Sequence, residues 1–320
     1  MVELEEQRLE GEQAEEIFRS LNPEFYERYS KVDNSKEFWE YMAKPLRLSV
    51  RVNTLKGNLD RVVELLEKYG RLERVPWCEE GFFVHEENGL DGSCMEHQLG
   101  LIFFQEASSM IPPVVLNAEK GKAILDVAAA PGAKTTQIAQ YVENEATIVA
   151  NDVKYSRINI LISNLQRCCA MAHVTMCDGR KFGRFGERFD YVLLDAPCSN
   201  VGMARKNYKY AKIWSLREVM ALSRLQKQLI LSAYDSLKKG GILVYSTCTL
   251  DPLEDEEVVD HLLANRDAEV EEIDVPVKGV EPITEFEGRE YSEEVRKCLR
   301  VHPQCNDTEG FFVARIRKPA

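Results

Sequence analysis

The sequence predicts an α/β protein whose main domain is built on a doubly wound, mainly parallel sheet. From Lys122 onward, short apolar runs typical of buried strands alternate with segments whose apolar residues have helical spacing. Such alternation is the pattern of a parallel sheet covered by helices on both faces. The two clearest strands, within residues 124–136 and 191–198, both end in loops that carry polar residues. We expect these loops at one edge of the sheet, where open α/β folds bind their ligands.

The chain divides into three predicted regions. Residues 1–45 form a helical packing segment, residues 46–95 a small α+β subdomain, and residues 96–320 the main domain. In the main domain, strands are predicted at residues 123–127, 147–151, 173–177, 191–194, 242–246 and 311–316. Helices are predicted at residues 135–141 and 156–168, around 254–263, and in a long segment that contains Leu222, Leu225, Leu229, Ala233 and Leu237 and closes at Gly240 and Gly241.

Charge and cysteine content narrow the class of protein. The net charge is −12, but residues 251–295 hold 17 Asp/Glu against 3 Lys/Arg, so the rest of the chain is close to neutral and compatible with nucleic-acid binding. No apolar run approaches the roughly 18 residues of a membrane span. The N-terminus is acidic rather than signal-like, so we expect a cytoplasmic protein. The 9 cysteines show no Cys-x-x-Cys spacing, which favours reduced thiols and no metal site.

Residues 124–136 (ILDVAAAPGAKTT) have the order strand, tight loop, helix. Small residues in the loop let backbone N–H groups approach a ligand, and the start of the following helix attracts electron-rich groups. The loop is neither Gly-x-Gly-x-x-Gly nor a Gly-Lys-Ser/Thr phosphate loop, so nicotinamide and ATP are disfavoured. We expect this segment to bind a cofactor of another kind.

Chemically active side chains follow five predicted strands: Asp126, Asp152, Asp178, Asp195 and Cys248. A single acid after a strand is ordinary turn chemistry, but five at the same sheet edge predict a site. Asp152 lies about 20 residues beyond the small-residue loop, where doubly wound folds place a carboxylate on ribose hydroxyls. This position indicates a cofactor that contains a nucleoside.

Several motifs occur in an order that resembles one family. AAAPGAKTT is followed by NDVKYSR, CDGRKF, DAPCS and YSTCTL, with RVNTLK and QEASSM before them and RVHPQCNDTEGFF near the end. The chain thereby resembles the Sun family of RNA (cytosine-5) methyltransferases over residues 46–320, and its layout is similar to that of short archaeal-type tRNA enzymes. The resemblance implies S-adenosylmethionine as cofactor, a Rossmann-like core, and an RNA-recognition-like fold for the N-terminal subdomain.

The resemblance also implies roles for individual residues. Asp152 would hold the ribose hydroxyls with support from Arg157, Asp178 would lie beside the adenine, and Asp195 would sit between cofactor and base. The family usually has cysteine at Ala128 and glycine at Ala133, but neither change removes a backbone donor, so we expect binding to persist. The cofactor loop would wrap the methionine part with Ala128, Ala129, Ala130, Pro131, Gly132, Ala133 and Lys134.

The implied reaction explains the presence of two cysteines. Carbon 5 of cytosine becomes nucleophilic only after a thiolate adds to carbon 6. Asp195 could share a proton with ring nitrogen 3 as the adduct forms, and a base must later remove the carbon 5 proton. Residue chemistry alone leaves open whether Cys198 or Cys248 attacks. The resemblance favours Cys248 as the nucleophile and Cys198 for release.

The resemblance and the basic residues lead to expectations about the RNA and its contacts. We expect a flipped base, tRNA as the substrate with rRNA as the alternative, and a monomer without metal or membrane. Phosphate contacts from Arg47, Arg51, Arg205 and Lys206 are a hypothesis based on clustered basic residues. A non-catalytic RNA chaperone would not need both cysteines, and a small-molecule or protein methyltransferase would not need a nucleophile at Cys248.

Overall fold

The computed structural model describes residues 11–85 and 88–320. The first ten residues of the predicted helical segment lie outside this part of the chain. The helices are α1 (Gly11–Leu21), α2 (Pro23–Tyr29), α3 (Lys36–Ala43), α4 (Leu59–Leu66), α5 (Met95–Gln98), α6 (Ile111–Leu116), α7 (Ala133–Tyr141), α8 (Tyr155–Arg167), α9 (Lys209–Ile213), α10 (Leu216–Asp235), α11 (Glu256–Asn265) and α12 (Pro303–Asn306). The strands are β1 (Ser49–Val52), β2 (Arg71–Arg74), β3 (Gly81–His85), β4 (Ile102–Phe104), β5 (Ala123–Asp126), β6 (Thr147–Asp152), β7 (His173–Met176), β8 (Phe189–Asp195), β9 (Leu237–Thr247), β10 (Glu269–Glu271), β11 (Glu285–Phe286), β12 (Arg289–Glu290), β13 (Leu299–Val301) and β14 (Phe311–Arg317).

The main sheet has the predicted doubly wound form. Its strand order is β10-β14-β9-β8-β5-β6-β7, and β13 pairs with β14. The pairs within β9-β8-β5-β6-β7 are parallel, whereas β14 runs antiparallel to β9, as do β10 and β13 to β14. The order reverses direction at β5, so the loops after β5 and β8 meet at one edge. The fold predicted from alternation is confirmed, with an antiparallel extension formed by the C-terminal strands.

The long helix ends earlier than predicted. α10 stops at Asp235, and Leu237 instead begins β9, where it pairs with Phe189 of β8. Gly240 and Gly241 therefore lie inside a strand rather than after a helix. Leu237 fits the apolar spacing of the helix because it is also buried in the core, but it is buried as part of β9.

The N-terminal subdomain is a four-stranded antiparallel sheet with the order β2-β3-β1-β4, packed on α4. Two of its strands have no clear strand pattern in the sequence. β2 (RLER) carries alternating charges and is largely exposed, and β4 is only three residues long. Because β4 pairs with β1, this sheet continues past residue 95, the boundary expected from the sequence.

Helices α1 to α3 pack against the main domain around the loop that follows β8. Phe18, Phe25 and Trp39 form one buried cluster with Trp214 and Leu250 of the main domain. Arg28 pairs with the buried Asp251 at 2.7 Å. The N-terminal helices therefore form one side of the core beneath the β8 and β9 loops.

The start of the acidic region is internal, with Asp251, Glu254, Asp255 and Glu256 all buried. Asp255 and Glu256 are fully buried and pair with Arg300, whose side chain is 1% exposed. Buried charges of this kind persist only when they are paired. Within residues 11–85 and 88–320, no helix combines the length and apolarity needed to cross a membrane.

Candidate active site

The predicted cofactor loop connects β5 to α7. Gly132 caps the helix with φ of 106°, a conformation that L side chains rarely adopt, and an added Cβ would lie 3.1 Å from Leu161. Gly132 N–H donates to Ala129 O at 2.7 Å, and Ala129 N–H donates to Asn151 O at 2.7 Å. These contacts fold the loop against the ends of β5 and β6. Ala128, Ala129, Ala130, Pro131 and Gly132 form this loop, and Ala133 begins α7.

Asp152 and Arg157 meet beside this loop. Asp152 ends β6 and is buried, and its Oδ2 accepts from Arg157 Nε at 2.9 Å. Arg157 also donates to Ala130 O, so it joins the acid to the small-residue loop. Asp178 follows β7 and accepts from Arg180, which lowers the pKa of Asp178 to about 2. Asp152 and Asp178 thus lie at the ends of the neighbouring strands β6 and β7, and Arg157 reaches Asp152 from α8.

Asp126 is a buried acid at the end of β5. Its Oδ2 accepts from Thr135 Oγ1 at 2.7 Å, while Oδ1 has no partner among the described residues. Burial raises the pKa of Asp126 to about 7, against the hydrogen bond from Thr135. An unpartnered buried oxygen beside the loop leaves an acceptor for a ligand's donor group.

Lys134 faces the reaction side of the site. Its Nζ donates to Asp195 Oδ2 at 2.7 Å and to Ser109 Oγ at 2.8 Å. Ser246 Oγ donates to the other oxygen of Asp195 at 2.8 Å. Burial opposes the charge on Lys134, but the carboxylate of Asp195 outweighs it and raises the pKa of Lys134. The sequence placed Lys134 only on the cofactor loop and did not predict these partners.

Cys198 and Cys248 come together at the ends of β8 and β9, with their sulfur atoms 3.2 Å apart. Cys248 Sγ also lies 3.2 Å from Asn200 Oδ1. Cys198 is buried, whereas Cys248 is half-buried. The hydrogen bond with Cys248, followed by burial, raises the pKa of Cys198 well above its ordinary value. Cys198 therefore keeps its proton while Cys248 stands beside it.

Backbone contacts hold the two cysteine loops together. Gly202 N–H donates to Cys248 O at 3.0 Å, and Gly310 N–H donates to Gly202 O at 3.3 Å. Ser199 Oγ contacts Thr249 Oγ1 at 2.8 Å. No role was predicted for these residues or for Ser109, Asn200 and Ser246. The signal available in the sequence was their position inside or next to QEASSM, DAPCS, YSTCTL and DTEGFF.

The structure contradicts part of the hypothesis on phosphate contacts. Arg51 is fully buried and donates to Gln105 and Thr136, both at 2.8 Å, which joins β1 to α7. Arg205 is also buried, and it donates to Thr308 O and Asp307. Neither guanidinium is available to RNA, because carbonyl and side-chain oxygens from other segments surround each one. Arg47 lies over the ring of Phe83, and Lys206 is exposed.

Family models match most of the chain. The model for 16S rRNA methyltransferase RsmB/F matches residues 113–317, and the model for the N-terminal domain of 16S rRNA methyltransferase RsmF matches residues 21–107. The chain belongs to the RsmB/F methyltransferase family. The resemblance inferred from the motifs is thereby confirmed, as is the methyltransferase fold.

Two curated relatives illustrate the range of the family. A tRNA (cytosine(49)-C(5))-methyltransferase of Pyrococcus abyssi is 58% identical over 95% of this chain and 98% of its own length. Ribosomal RNA small subunit methyltransferase F of Pectobacterium atrosepticum is 45% identical over 88% of this chain. This chain spans only 59% of that second relative.

Solved structures agree with the fold. A methyltransferase homologue from Pyrococcus horikoshii superposes with a TM-score of 0.83 at 36% identity, covering 95% of this chain and 98% of that one. NSun6 from Pyrococcus horikoshii superposes with a TM-score of 0.77 at 24% identity, covering 96% and 98%. The second similarity concerns the fold alone.

Proposed function

We propose that this protein transfers a methyl group from S-adenosylmethionine to carbon 5 of a cytosine in tRNA, and that cytosine 49 is its target. The observation that carries the proposal is the 3.2 Å contact between Cys198 and Cys248 at adjacent strand ends. The specific tRNA position is supported by the Pyrococcus abyssi relative, which this chain matches over nearly its whole length. The rRNA alternative has weaker support, because the rRNA relative contains a large portion without a counterpart here.

The residues at the ends of β5, β6 and β7 fit the proposed cofactor. Oδ1 of Asp126 is a buried acceptor without a partner among residues 11–85 and 88–320, Asp152 supplies a carboxylate beside the loop, and Gly132 allows a close backbone approach. These groups suit an ammonium group and ribose hydroxyls. S-adenosylmethionine would supply an electrophilic methyl group. The other steps of the reaction depend on side chains of the protein itself.

Cys248 is the proposed nucleophile. It is the more accessible of the two thiols. As a thiolate, Cys248 forms a bond to carbon 6 of cytosine, and the electron pair of the carbon 5–carbon 6 double bond becomes available at carbon 5. Cys198 retains its proton during this step, because the adjacent sulfur disfavours a second negative charge.

Lys134 and Asp195 form the proposed proton-handling pair. Asp195 receives hydrogen bonds on both oxygens, from Lys134 and from Ser246. Nitrogen 3 of the base becomes more basic as the adduct forms, so a proton passed from Lys134 through Asp195 would stabilise it. The pair would thereby serve as the acid that the sequence assigned to Asp195 alone.

Cys198 is proposed to act in release. The largest cause of its raised pKa is the neighbouring Cys248, and that contact changes when Cys248 is bonded to carbon 6. Cys198 can then lose its proton to solvent and, as a thiolate, accept the carbon 5 proton, while nitrogen 3 returns its proton to Asp195. The electron pair of the broken C–H bond restores the ring double bond, and Cys248 leaves as a thiolate.

An exposed basic surface lies next to the cysteine loops. It comprises Lys206, Lys209, Lys212, Arg217 and Arg224, all exposed and none with an ion-pair partner within the chain's described residues. Lys227, further along α10, pairs with Glu257 instead. Unpaired cations attract phosphates, and this surface is the candidate RNA contact that replaces Arg51 and Arg205.

The test is methyl transfer from labelled S-adenosylmethionine to unmodified tRNA transcripts. We expect wild type to methylate a transcript with cytosine 49 and not one with uridine at that position. Cys248→Ala should be inactive, and Cys198→Ala should accumulate a covalent protein–RNA adduct on denaturing gels. A transcript with 5-fluorocytosine should trap wild type, because the fluorine cannot leave as the proton does.

Three outcomes would contradict the proposal in different ways. An adduct that persists in Cys248→Ala and vanishes in Cys198→Ala would reverse the two cysteine roles. Transfer to small-subunit rRNA and not to tRNA would favour the rRNA alternative. Binding of tRNA without transfer or trapping would indicate a non-catalytic RNA-binding protein.

A further inference from the structure

Glu254 is a fully buried acid directly behind the Cys198 loop. Its Oε2 accepts from Ser199 N–H at 3.0 Å and from Gln226 Nε2 at 2.8 Å. Its backbone carbonyl accepts from Tyr245 OH, which ties the acid to β9. Glu254 therefore contacts the residue next to Cys198 while it is itself anchored on the strand that leads to Cys248.

Gln226 of α10 completes the support of this loop. Its Nε2 donates both to Glu254 and to Pro197 O, the latter at 2.9 Å. The residues on either side of Cys198 are thus held by two buried side chains. Neither side chain belongs to the cofactor loop or to the basic surface, so this support is separate from ligand binding.

Two oxygen atoms in this arrangement lack a donor. Oε1 of Glu254 and Oε1 of Gln226 are buried and have no partner within the described residues. Unpaired buried acceptors are costly, and a proton on Glu254 would convert one of them into a donor. Burial, together with the nearby charge of Asp251, raises the pKa of Glu254 to about 8 despite the hydrogen bond from Ser199. The acid is therefore mostly neutral at pH 7.

We propose that Glu254 is a positioning residue that holds the Cys198 loop so that Cys198 can accept the carbon 5 proton during release. The inference rests on the proposed function, since it assigns a supporting residue to one step of that reaction. It differs from a general structural role because it predicts a defect in release and little effect on methyl transfer.

The test compares Glu254→Ala with Glu254→Gln in single-turnover reactions on an unmodified tRNA transcript. Methyl transfer and decay of the covalent adduct are measured separately. We expect Glu254→Ala to slow adduct decay at least 10-fold, while methyl transfer stays within about 3-fold of wild type. Glu254→Gln should release the adduct within about 3-fold of wild type, because the amide supplies both an acceptor for Ser199 and a donor in place of the acid proton.

Glu256→Gln is the matched control, because Glu256 is equally buried but its carboxylate binds Arg300 rather than the Cys198 loop. It should lower the melting temperature without slowing adduct decay. If Glu254→Ala does not fold, Gln226→Leu removes the other support of the loop and should slow decay. Adduct decay at the wild-type rate in these variants would overturn the inference, as would equal loss of transfer and release. Failure of the proposed function is distinct, since wild type itself would then transfer no methyl group.

Discussion

Lys134 was predicted to bind the cofactor, but its position also suits it to proton transfer. The sequence places it at the end of a cofactor loop, yet its ammonium group lies between Asp195 and Ser109 and 5.6 Å from the ring centroid of Phe311. The side chain leaves the second residue of α7 and is largely covered. A charge held in this way has a fixed position relative to the acid that it serves.

We expect Lys134→Met to lower the turnover number about 100-fold or more, because the substitution removes the ammonium donor beside Asp195 and keeps most of the side-chain volume. Affinity for tRNA should change little. The turnover number and the tRNA dissociation constant would be measured on the same preparations.

Lys154→Met is the control for loss of a lysine near the cofactor strands. Lys154 is exposed and follows Asp152, and its backbone N–H rather than its ammonium group contacts that acid. The turnover number of Lys154→Met should match that of wild type. A Lys134→Met enzyme with wild-type turnover would exclude a role for this ammonium in proton handling.

The short 3₁₀ helix Val201–Arg205 joins the two cysteine loops to β14. Gly202 accepts from Gly310 N–H and donates to the carbonyl of Cys248, so three separate segments meet at one glycine. A Cβ added at Gly202 would lie 2.0 Å from Gly310 O, far inside van der Waals contact. Glycine is needed here because of close backbone approach rather than backbone conformation.

Gly202→Ala should therefore disturb the site through the backbone. We expect a loss of stability of about 1–3 kcal/mol, the usual cost of overpacking, with slower adduct formation because Cys248 shifts. Thermal unfolding and the rate of adduct formation are the measurements.

Gly92→Ala provides the comparison, because an added Cβ at Gly92 meets nothing within 4 Å. Gly92→Ala should change neither the thermal stability nor the rate of adduct formation. If Gly202→Ala also retained wild-type adduct formation, the close approach of Gly202 and Gly310 would not control the position of Cys248.

The charged residues that stabilise the fold and the charged residues proposed to bind RNA lie in different parts of the molecule. The buried acids Asp251 and Glu256 are paired with Arg28 and Arg300, whereas the cations of the surface around α9 and the start of α10 have no ion-pair partner among residues 11–85 and 88–320. Exposed Ile213 and Leu216 lie among these cations. A protein with a net charge of −12 can therefore still present a basic face beside its candidate site.

This arrangement predicts a specific salt dependence. We expect Lys209→Gln/Lys212→Gln to reduce the slope of log affinity for tRNA against log salt concentration by about 1.4–1.8, because each of the two phosphate contacts contributes about 0.7–0.9. Binding would be measured by titration at several salt concentrations.

Lys238→Gln/Lys239→Gln makes the same substitutions at the beginning of β9, the end of that strand opposite Cys248. Its slope should equal that of wild type. Equal slopes for the two double variants would show that the α9 surface does not contact phosphates.

The local spacing of apolar and small residues was enough to predict the alternation of strands and helices in the main domain and the small-residue loop. It was also enough to place Asp152, Asp195 and Cys248 at strand ends. These features depend on residue spacing within single elements, and the spacing of apolar residues records which face is buried. The order of motifs was sufficient for the family. Neither source of information located β2 or β4, because an exposed charged strand and a three-residue strand lack a clear period.

Tertiary structure alone decided which charged residues are internal and which partners each reactive group has. Arg51 and Arg205 look like surface cations in the sequence, but oxygens from distant segments enclose both. The contact of Cys198 with Cys248 and the placement of Glu254 behind the first thiol join positions about 50 residues apart. Such contacts arise from strand pairing and loop packing between elements, whereas periodicity describes only one element at a time.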